Sequence, residues 1–337
     1  MPLKSKCYAC LKETNNLKNN YCPKCISELF DNTVPNKLTF DRKEFINKRA
    51  EMSDKMSISG VQDKISLAFD SSKNLIPTAK NGKYILKPIP IHDNALNLED
   101  IPANEHLSML ISKEIFKINT AHCGIVEFSD GELAYITKRF DYDSDGKKYD
   151  QEDFASLMNI TPSTHGKDYK YDASDYLGCS RLIKNFVASH KITVEDFFKR
   201  VLLNYLIANG DAHLKNFSLY SKPNSNEYTL TPNYDLLNTR YHINEKYGDM
   251  ALSLIEDYYT PTFEVVGYYT YADFVYFAKL IELPQIRVEK IFKLANESLD
   301  KIEKKVINSF LSDNAKEFYL NTYKQRLELI NYIMKDS

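Results

Sequence analysis

The sequence predicts an α+β fold: a short cysteine-bearing N-terminus, a β-rich stretch, then a long helical region. Three observations carry that expectation. Apolar alternation of the strand kind follows Gly60 (Val61, then Ile65, Leu67 and Phe69), and strand-like runs recur at 83–88 and 133–136. Beyond about residue 141 the apolar residues instead recur at helical spacing, as in Phe274, Val275, Phe277, Ala278, Leu280 and Ile281, and in Phe318, Leu320, Tyr323, Leu327 and Ile330. Ahead of both lie two Cys-x-x-Cys pairs. The expected division is a knuckle at 1–30, a connector at 31–55, a small β-rich lobe at 56–140 and a helical lobe at 141–337.

Composition sets the class. Of 337 residues, 43% are hydrophobic and 27% charged, which is ordinary for a globular protein with a substantial core. A net charge of −2 gives no basic field for direct nucleic-acid binding. No apolar run approaches the roughly 20 residues that span a bilayer, and Met1-Pro2-Leu3-Lys4 has no apolar segment behind it to form a secretory signal. The expectation is a cytoplasmic protein that does not engage membranes.

Cys7, Cys10, Cys22 and Cys25 have zinc-site spacing, since each pair supplies two thiolates from a tight turn and four close a tetrahedral site. The alternatives are a loose reduced tail or one redox-active pair. Apolar patterning elsewhere suggests a core that stays folded when this knuckle loses its metal. Asp41-Arg42-Lys43-Glu44-Phe45 starts a short helix in the connector. Lys55 to Phe69 then reads as a small-residue loop entering a strand, and small residues beside Gly60 let backbone N–H groups approach phosphates; an ordinary serine-rich turn is the alternative.

Asn81-Gly82 reads as a hairpin turn into Lys83 to Pro88. Lys87 ends that apolar strand, where an ammonium can project into a cleft as a compact charge for phosphates or simply be solvated. Glu105 precedes Leu107, Leu110 and Ile111 at helical spacing, on the expected first turn of a helix. Two strands are expected around Ser129-Asp130-Gly131, and the Asp-, Tyr- and Lys-rich 141–175 region reads as a mobile, substrate-facing or merely solvated segment.

The chemistry concentrates in Asn209-Gly210-Asp211-Ala212-His213-Leu214-Lys215-Asn216-Phe217, behind the apolar run Val201 to Ala208. Asp211 and Asn216 have the Asp-x-x-x-x-Asn spacing of a phosphotransferase loop, in which the acid orients a hydroxyl and the amide oxygen binds Mg²⁺. A helix C-terminus followed by a polar turn is the plain alternative. A second acid, Asp235 in Pro232-Asn233-Tyr234-Asp235-Leu236-Leu237, suits a second metal ligand.

Asn-Gly-Asp-Ala-His-Leu-Lys-Asn-Phe-Ser and Leu-Thr-Pro-Asn-Tyr-Asp-Leu-Leu resemble the catalytic and metal-binding motifs of HipA-type toxin kinases, over a stretch running from about Met56 through the helical part. The resemblance implies a bilobal protein-kinase-like fold, ATP and Mg²⁺ as cofactors, and transfer to a protein serine, an aminoacyl-tRNA synthetase being one such substrate. It implies Asp211 as the catalytic carboxylate that orients the acceptor hydroxyl, with His213 supporting the loop or touching phosphate, Asn216 and Asp235 on Mg²⁺, and a Lys87–Glu105 ion pair at the phosphates. Nucleotide would be held by the Ser59-Gly60-Val61 loop and by hinge backbone at Lys138 to Phe140, with Ser57 and Ser59 as autophosphorylation sites. Where Lys138 stands the family pattern has an acid, so only backbone recognition carries over. The cysteine knuckle is a departure from the family pattern, and its compactness resembles HipT kinases, which implies HipS-like and HipB-like antitoxin partners. The rival readings are a small-molecule phosphotransferase and a catalytically silent binding module.

Overall fold

The structure is a computed structural model that describes residues 5–52, 63–90, 95–143, 145–223, 225, 227–243 and 250–333. Ser57, Ser59, Gly60 and Val61 lie outside the described residues.

The chain opens with β1 (Ser5–Lys6) paired antiparallel to β2 (Glu13–Thr14), followed by α1 (Pro23–Phe30). Helix α2 (Arg42–Met52) begins at the expected place, and its start is fixed by reciprocal capping. Asp41 Oδ1 accepts from Glu44 N at 2.7 Å while Glu44 Oε2 accepts from Asp41 N at 3.1 Å. Strands β3 (Ile65–Phe69), β4 (Leu75–Pro77), β5 (Tyr84–Lys87), β6 (Cys123–Glu127) and β7 (Leu133–Lys138) form one antiparallel sheet in the order β4-β3-β5-β7-β6. Helix α3 (Ile101–Leu110) connects β5 to β6, and Glu105 falls in its second turn rather than its first.

That strand order corrects one expectation. β4 and β5 both pair with β3 and not with each other, so Asn81-Gly82 is no hairpin turn. It carries the chain across β3 at Ser66, with Asn81 in the left-handed region at φ 55°. A Cβ at Gly82 would collide with the Ser66 hydroxyl on β3.

Register decides what each face of the sheet does. Ile65, Leu86 and Ile136 stand opposite one another and share a core with Ile26, Leu29, Phe30, Phe40 and Phe45. The knuckle, α1 and the connector therefore cover this face, and they do not stand apart from the lobe as the sequence suggested. A Cβ at Gly124 on β6 would meet Leu29 Cδ2 at 3.1 Å and Ala9 Cβ at 3.3 Å, so glycine permits the close approach. The neighbours one residue along, Lys87 and Tyr135, point to the opposite face, where α3 lies.

The second lobe starts with β8 (Asp150–Asp153), α4 (Phe154–Leu157), α5 (Pro162–His165), α6 (Tyr169–Asp172), α7 (Tyr176–Phe186) and α8 (His190–Leu206). β9 (Ser218–Ser221) and β10 (Tyr228–Leu230) complete a three-stranded sheet in the order β10-β9-β8. The sequence did not announce this sheet, because Asp-Gln-Glu-Asp in β8 has no apolar alternation. Among the described residues five α-helices follow: α9 (Pro261–Val266), α10 (Tyr271–Leu280), α11 (Gln285–Glu297), α12 (Leu299–Ile307) and α13 (Asp313–Ile330). α8 is buried on nearly every side in its second half, with Phe197, Phe198, Val201, Leu202, Leu203, Tyr205 and Leu206 all fully enclosed. Among the described residues no helix is long and apolar enough to cross a membrane.

Candidate active site

The end of α8 sets the first acid. Ala208 takes the left-handed conformation at φ 50°, its N–H donating to Tyr205 O at 3.0 Å and that of Asn209 to Asn204 O at 2.8 Å. This is the paired Schellman arrangement, built here on alanine instead of glycine at a cost of about 1 kcal/mol. It throws the chain out of the helix so that Asp211 emerges half exposed, with 50% of its side chain accessible. The turn is then closed by Asn216, whose Nδ2 donates to Asp211 O at 2.9 Å. The amide nitrogen is thereby committed to the loop, which leaves its oxygen as the acceptor for a cation.

The second acid is positioned from three sides. The parallel bridge Thr120–Asn233 fixes the chain just before it, with Ala121 N donating to Asn233 O at 3.0 Å. Asn104, buried beside Glu105 on α3, donates to Asn238 O at 3.0 Å and accepts from Asn238 N at 2.9 Å. Thr239 Oγ1 accepts from Gly210 N at 2.8 Å and donates to Ala208 O at 3.2 Å, stitching this segment to the Asp211 loop. Asp235 itself sits at φ 60°, a left-handed conformation rare for a residue with a Cβ and held here by those anchors.

Lys87 crosses between the lobes. Its Nζ is 2.7 Å from Glu105 Oε1 and 2.6 Å from Asp235 Oδ1. Burial alone would lower the lysine pKa, but the Asp235 and Glu105 carboxylates outweigh it and hold the ammonium charged. Burial pushes Glu105 up to about 7, Lys87 offsetting only part of the effect. Asp235 keeps 41% side-chain exposure. Burial raises its pKa, yet the charges of Lys87 and Lys64 bring it below the ordinary carboxylate value.

His213 Nε2 lies 3.8 Å from Asp211 Oδ1, and burial lowers its pKa, so the imidazole is held toward its neutral form. Lys138 points elsewhere: its ammonium is 2.5 Å from Asp31 beside α1, and its N–H donates to His122 O at 2.8 Å. Arg139 N–H is likewise committed, to Lys83 O. Phe140 packs on Tyr234, one residue before Asp235.

Three side chains at the site carried no sequence signal of their own. Lys64 lies close enough to Lys87 and Asp235 for their charges to shift its pKa, which falls chiefly through burial. Asn104 is the buried link just described. Tyr171 Oη donates to Asp211 Oδ1 at 2.5 Å from within the segment read as substrate-facing or solvated. None belongs to a periodic pattern or a motif spacing, so only the folded chain brings them here.

The four cysteines form a second centre, away from the cleft. Their Sγ atoms all lie within 4.8 Å of one another, and the Cys10–Cys22 pair is 3.9 Å apart. Thiolates about 3.8 Å apart are what a tetrahedral ion with metal–sulfur bonds near 2.3 Å requires. Cys22 N also donates to Cys7 Sγ at 3.3 Å, a bond that favours the thiolate. The donor set fits a divalent metal. Around it, Tyr21 Oη donates to Ile125 O at 2.5 Å, His106 Nε2 to Ala9 O at 2.9 Å and Lys305 Nζ to Cys10 O at 2.9 Å.

Known proteins resemble this chain in sequence and in fold. The family model described as the HipA-like C-terminal domain matches residues 56–306. A Haemophilus influenzae protein with a provisional kinase designation is 29% identical over 343 residues, covering 95% of each chain. A similarly designated Sinorhizobium fredii protein is 30% identical over 200 residues, covering 55% of this chain and 45% of that one. Among solved structures, HipA from the Shewanella oneidensis HipA, HipB and operator DNA complex superposes with a TM-score of 0.59 at 20% identity, covering 85% of this chain and 69% of that one. The Helicobacter pylori proinflammatory kinase CtkA gives 0.50 at 17% identity, covering 73% and 87%. At these identities the two structures speak for the fold.

Proposed function

Because this chain belongs to the HipA-like C-terminal domain family and has that family's kinase fold, we propose that it is an ATP- and Mg²⁺-dependent protein serine/threonine kinase, the toxin of a bacterial toxin–antitoxin pair. The observation that carries the reading is the convergence of Lys87, Glu105 and Asp235 from three separate stretches of sequence, with Asp235 stitched through Thr239 to the loop that bears Asp211 and Asn216. A silent binding module has no need to hold a buried ammonium between two carboxylates, one of them 41% exposed.

In this reading Lys87, kept charged and oriented by Glu105, takes the nucleotide phosphates. Asp235 and the Asn216 oxygen hold Mg²⁺, which when bound neutralises charge on the phosphates. Asp211 accepts the proton of the acceptor hydroxyl, and neutral His213 supports its loop. The phosphate loop would be Ser59-Gly60-Val61, with Ser57 and Ser59 as self-modification sites. Lys138 and Arg139 N–H groups already serve the sheet, so adenine recognition falls to the remaining backbone groups around Phe140. Catalysis is positioning plus charge stabilisation.

The acceptor would be a serine of a translation protein such as an aminoacyl-tRNA synthetase, and the chain would work in the cytoplasm. The solved Shewanella HipA was captured with HipB and operator DNA. That supports a HipB-like, DNA-binding antitoxin partner, and the resemblance to HipT kinases adds a separate HipS-like one to the proposal. Zn²⁺ is the metal proposed for Cys7, Cys10, Cys22 and Cys25. The test is incubation of the purified protein with γ-labelled ATP, alone and in host lysate, followed by mass spectrometry. Label on a protein serine and on the Ser57–Ser59 peptide is the expected result. Label only on sugars or drugs would make it a small-molecule phosphotransferase, and no label would make it a silent module.

A further inference from the structure

Asp211 already holds a hydroxyl. Tyr171 Oη donates to Asp211 Oδ1 at 2.5 Å, the bond and the distance that a phosphoryl acceptor would need in order to pass its proton to that carboxylate. The ring stands edge-on to His213, centroids 5.1 Å apart, and Lys170 Nζ covers it at 4.7 Å. Burial and the Asp211 charge both raise the phenol pKa, so the group is a fixed donor that does not surrender its proton at neutral pH.

Resting on the kinase reading, we propose that Tyr171 occupies the acceptor-hydroxyl position, so that an acceptor enters only by displacing the phenol from Asp211. The carrier suits displacement. α6 has four residues, none fully buried though Tyr169 rests half-buried against the core, and its turn bonds are local: Tyr171 N to Asp168 O at 2.8 Å and Asp172 N to Asp168 O at 3.3 Å. Gly166, at φ 80°, precedes it in a run of exposed residues. Moving the phenol costs one charge-assisted hydrogen bond and an edge contact, and leaves the buried core intact. The occupant that replaces it donates a single O–H to one carboxylate oxygen, as a serine or threonine side chain does. Tyr171 is then a specificity determinant, since water and poorly held hydroxyls lose the competition.

The experiment compares wild type with Tyr171→Phe, which keeps the ring against His213 and removes the hydroxyl. The probes are Mg-ATP and a degenerate peptide library with one fixed serine. The variant should bind Mg-ATP as wild type does, hydrolyse ATP faster in the absence of peptide, and show a peptide KM lower by about tenfold with kcat not reduced. A reduced kcat at unchanged KM would make Tyr171 a positioning group and overturn the proposal. So would phosphate on Tyr171 itself, which would make it an acceptor. A second measurement needs no turnover: nitration of Tyr171 by tetranitromethane should be slow and should accelerate when saturating peptide and a non-hydrolysable ATP analogue are added. Unchanged nitration contradicts displacement. Turnover by both proteins at equal KM removes this inference alone. Absence of turnover in both, with Mg-ATP bound, removes the kinase reading and this inference with it.

Discussion

Lys87 Nζ stands 2.6 Å from Asp235 Oδ1 and 2.7 Å from Glu105 Oε1, so one buried ammonium joins the β-rich lobe, its helix and the segment bearing Asp235. Lys87→Met leaves Glu105 buried at 3% exposure with its positive partner gone. The expected loss is about 3 kcal/mol in urea unfolding at pH 7.5, moderated by protonation of Glu105. Adding Glu105→Gln to Lys87→Met should recover part of that loss. A double variant less stable than Lys87→Met would show that the pair is not the coupling described.

His106 makes stability pH-dependent. Its Nε2–H donates to Ala9 O, while Nδ1 is buried with no partner among the described residues, and burial lowers the pKa to about 4. The unfolded chain, with its ordinary pKa near 6.5, takes up the proton first as pH falls. The neutral-His106 contribution is therefore full above about pH 6.5 and lost progressively down to about pH 4, amounting to about 3 kcal/mol. His106→Gln can donate to the same carbonyl without titrating and should flatten this part of the acid limb. Parallel pH–stability curves for the two proteins would contradict the assignment.

The knuckle shares a core with one face of the sheet, so metal removal should reach the lobe. Elemental analysis is expected to find one zinc per chain, and chelation should lower Tm by roughly 5 °C or more. Gly124→Val would press on Leu29, Ala9 and the Tyr8 carbonyl, costing about 1–3 kcal/mol and speeding zinc loss to chelator. Protein purified without chelator that contains no zinc would reject the site.

What the sequence displayed and what it hid divide along physical lines. Cys-x-x-Cys pairs and Asp-x-x-x-x-Asn are contacts between near neighbours, so their spacing survives in one dimension. The strand ending at Lys87 was legible for the same reason, but the faces of Leu86 and Lys87 were not, because Tyr84-Ile85-Leu86 is an unbroken apolar run without alternation. The Asn81-Gly82 turn misled, since a tight turn looks the same whether its strands pair or straddle β3. Asn104, Lys64 and Tyr171 reach the site through long-range packing, and nothing in their flanking residues marks them. The four-residue β8 is polar throughout and pairs only because β9 lies beside it.

Asp211→Asn and Asp235→Asn measured side by side test the central claim most directly, with Mg-ATP affinity and transfer to protein serine read on each. The account predicts that Asp211→Asn binds Mg-ATP within about threefold of wild type while transfer falls at least about 100-fold, because the amide cannot take the hydroxyl proton. It predicts that Asp235→Asn instead weakens Mg-ATP binding, because a charged metal ligand and the partner of Lys87 are both lost. Transfer at wild-type rate by either variant would contradict it.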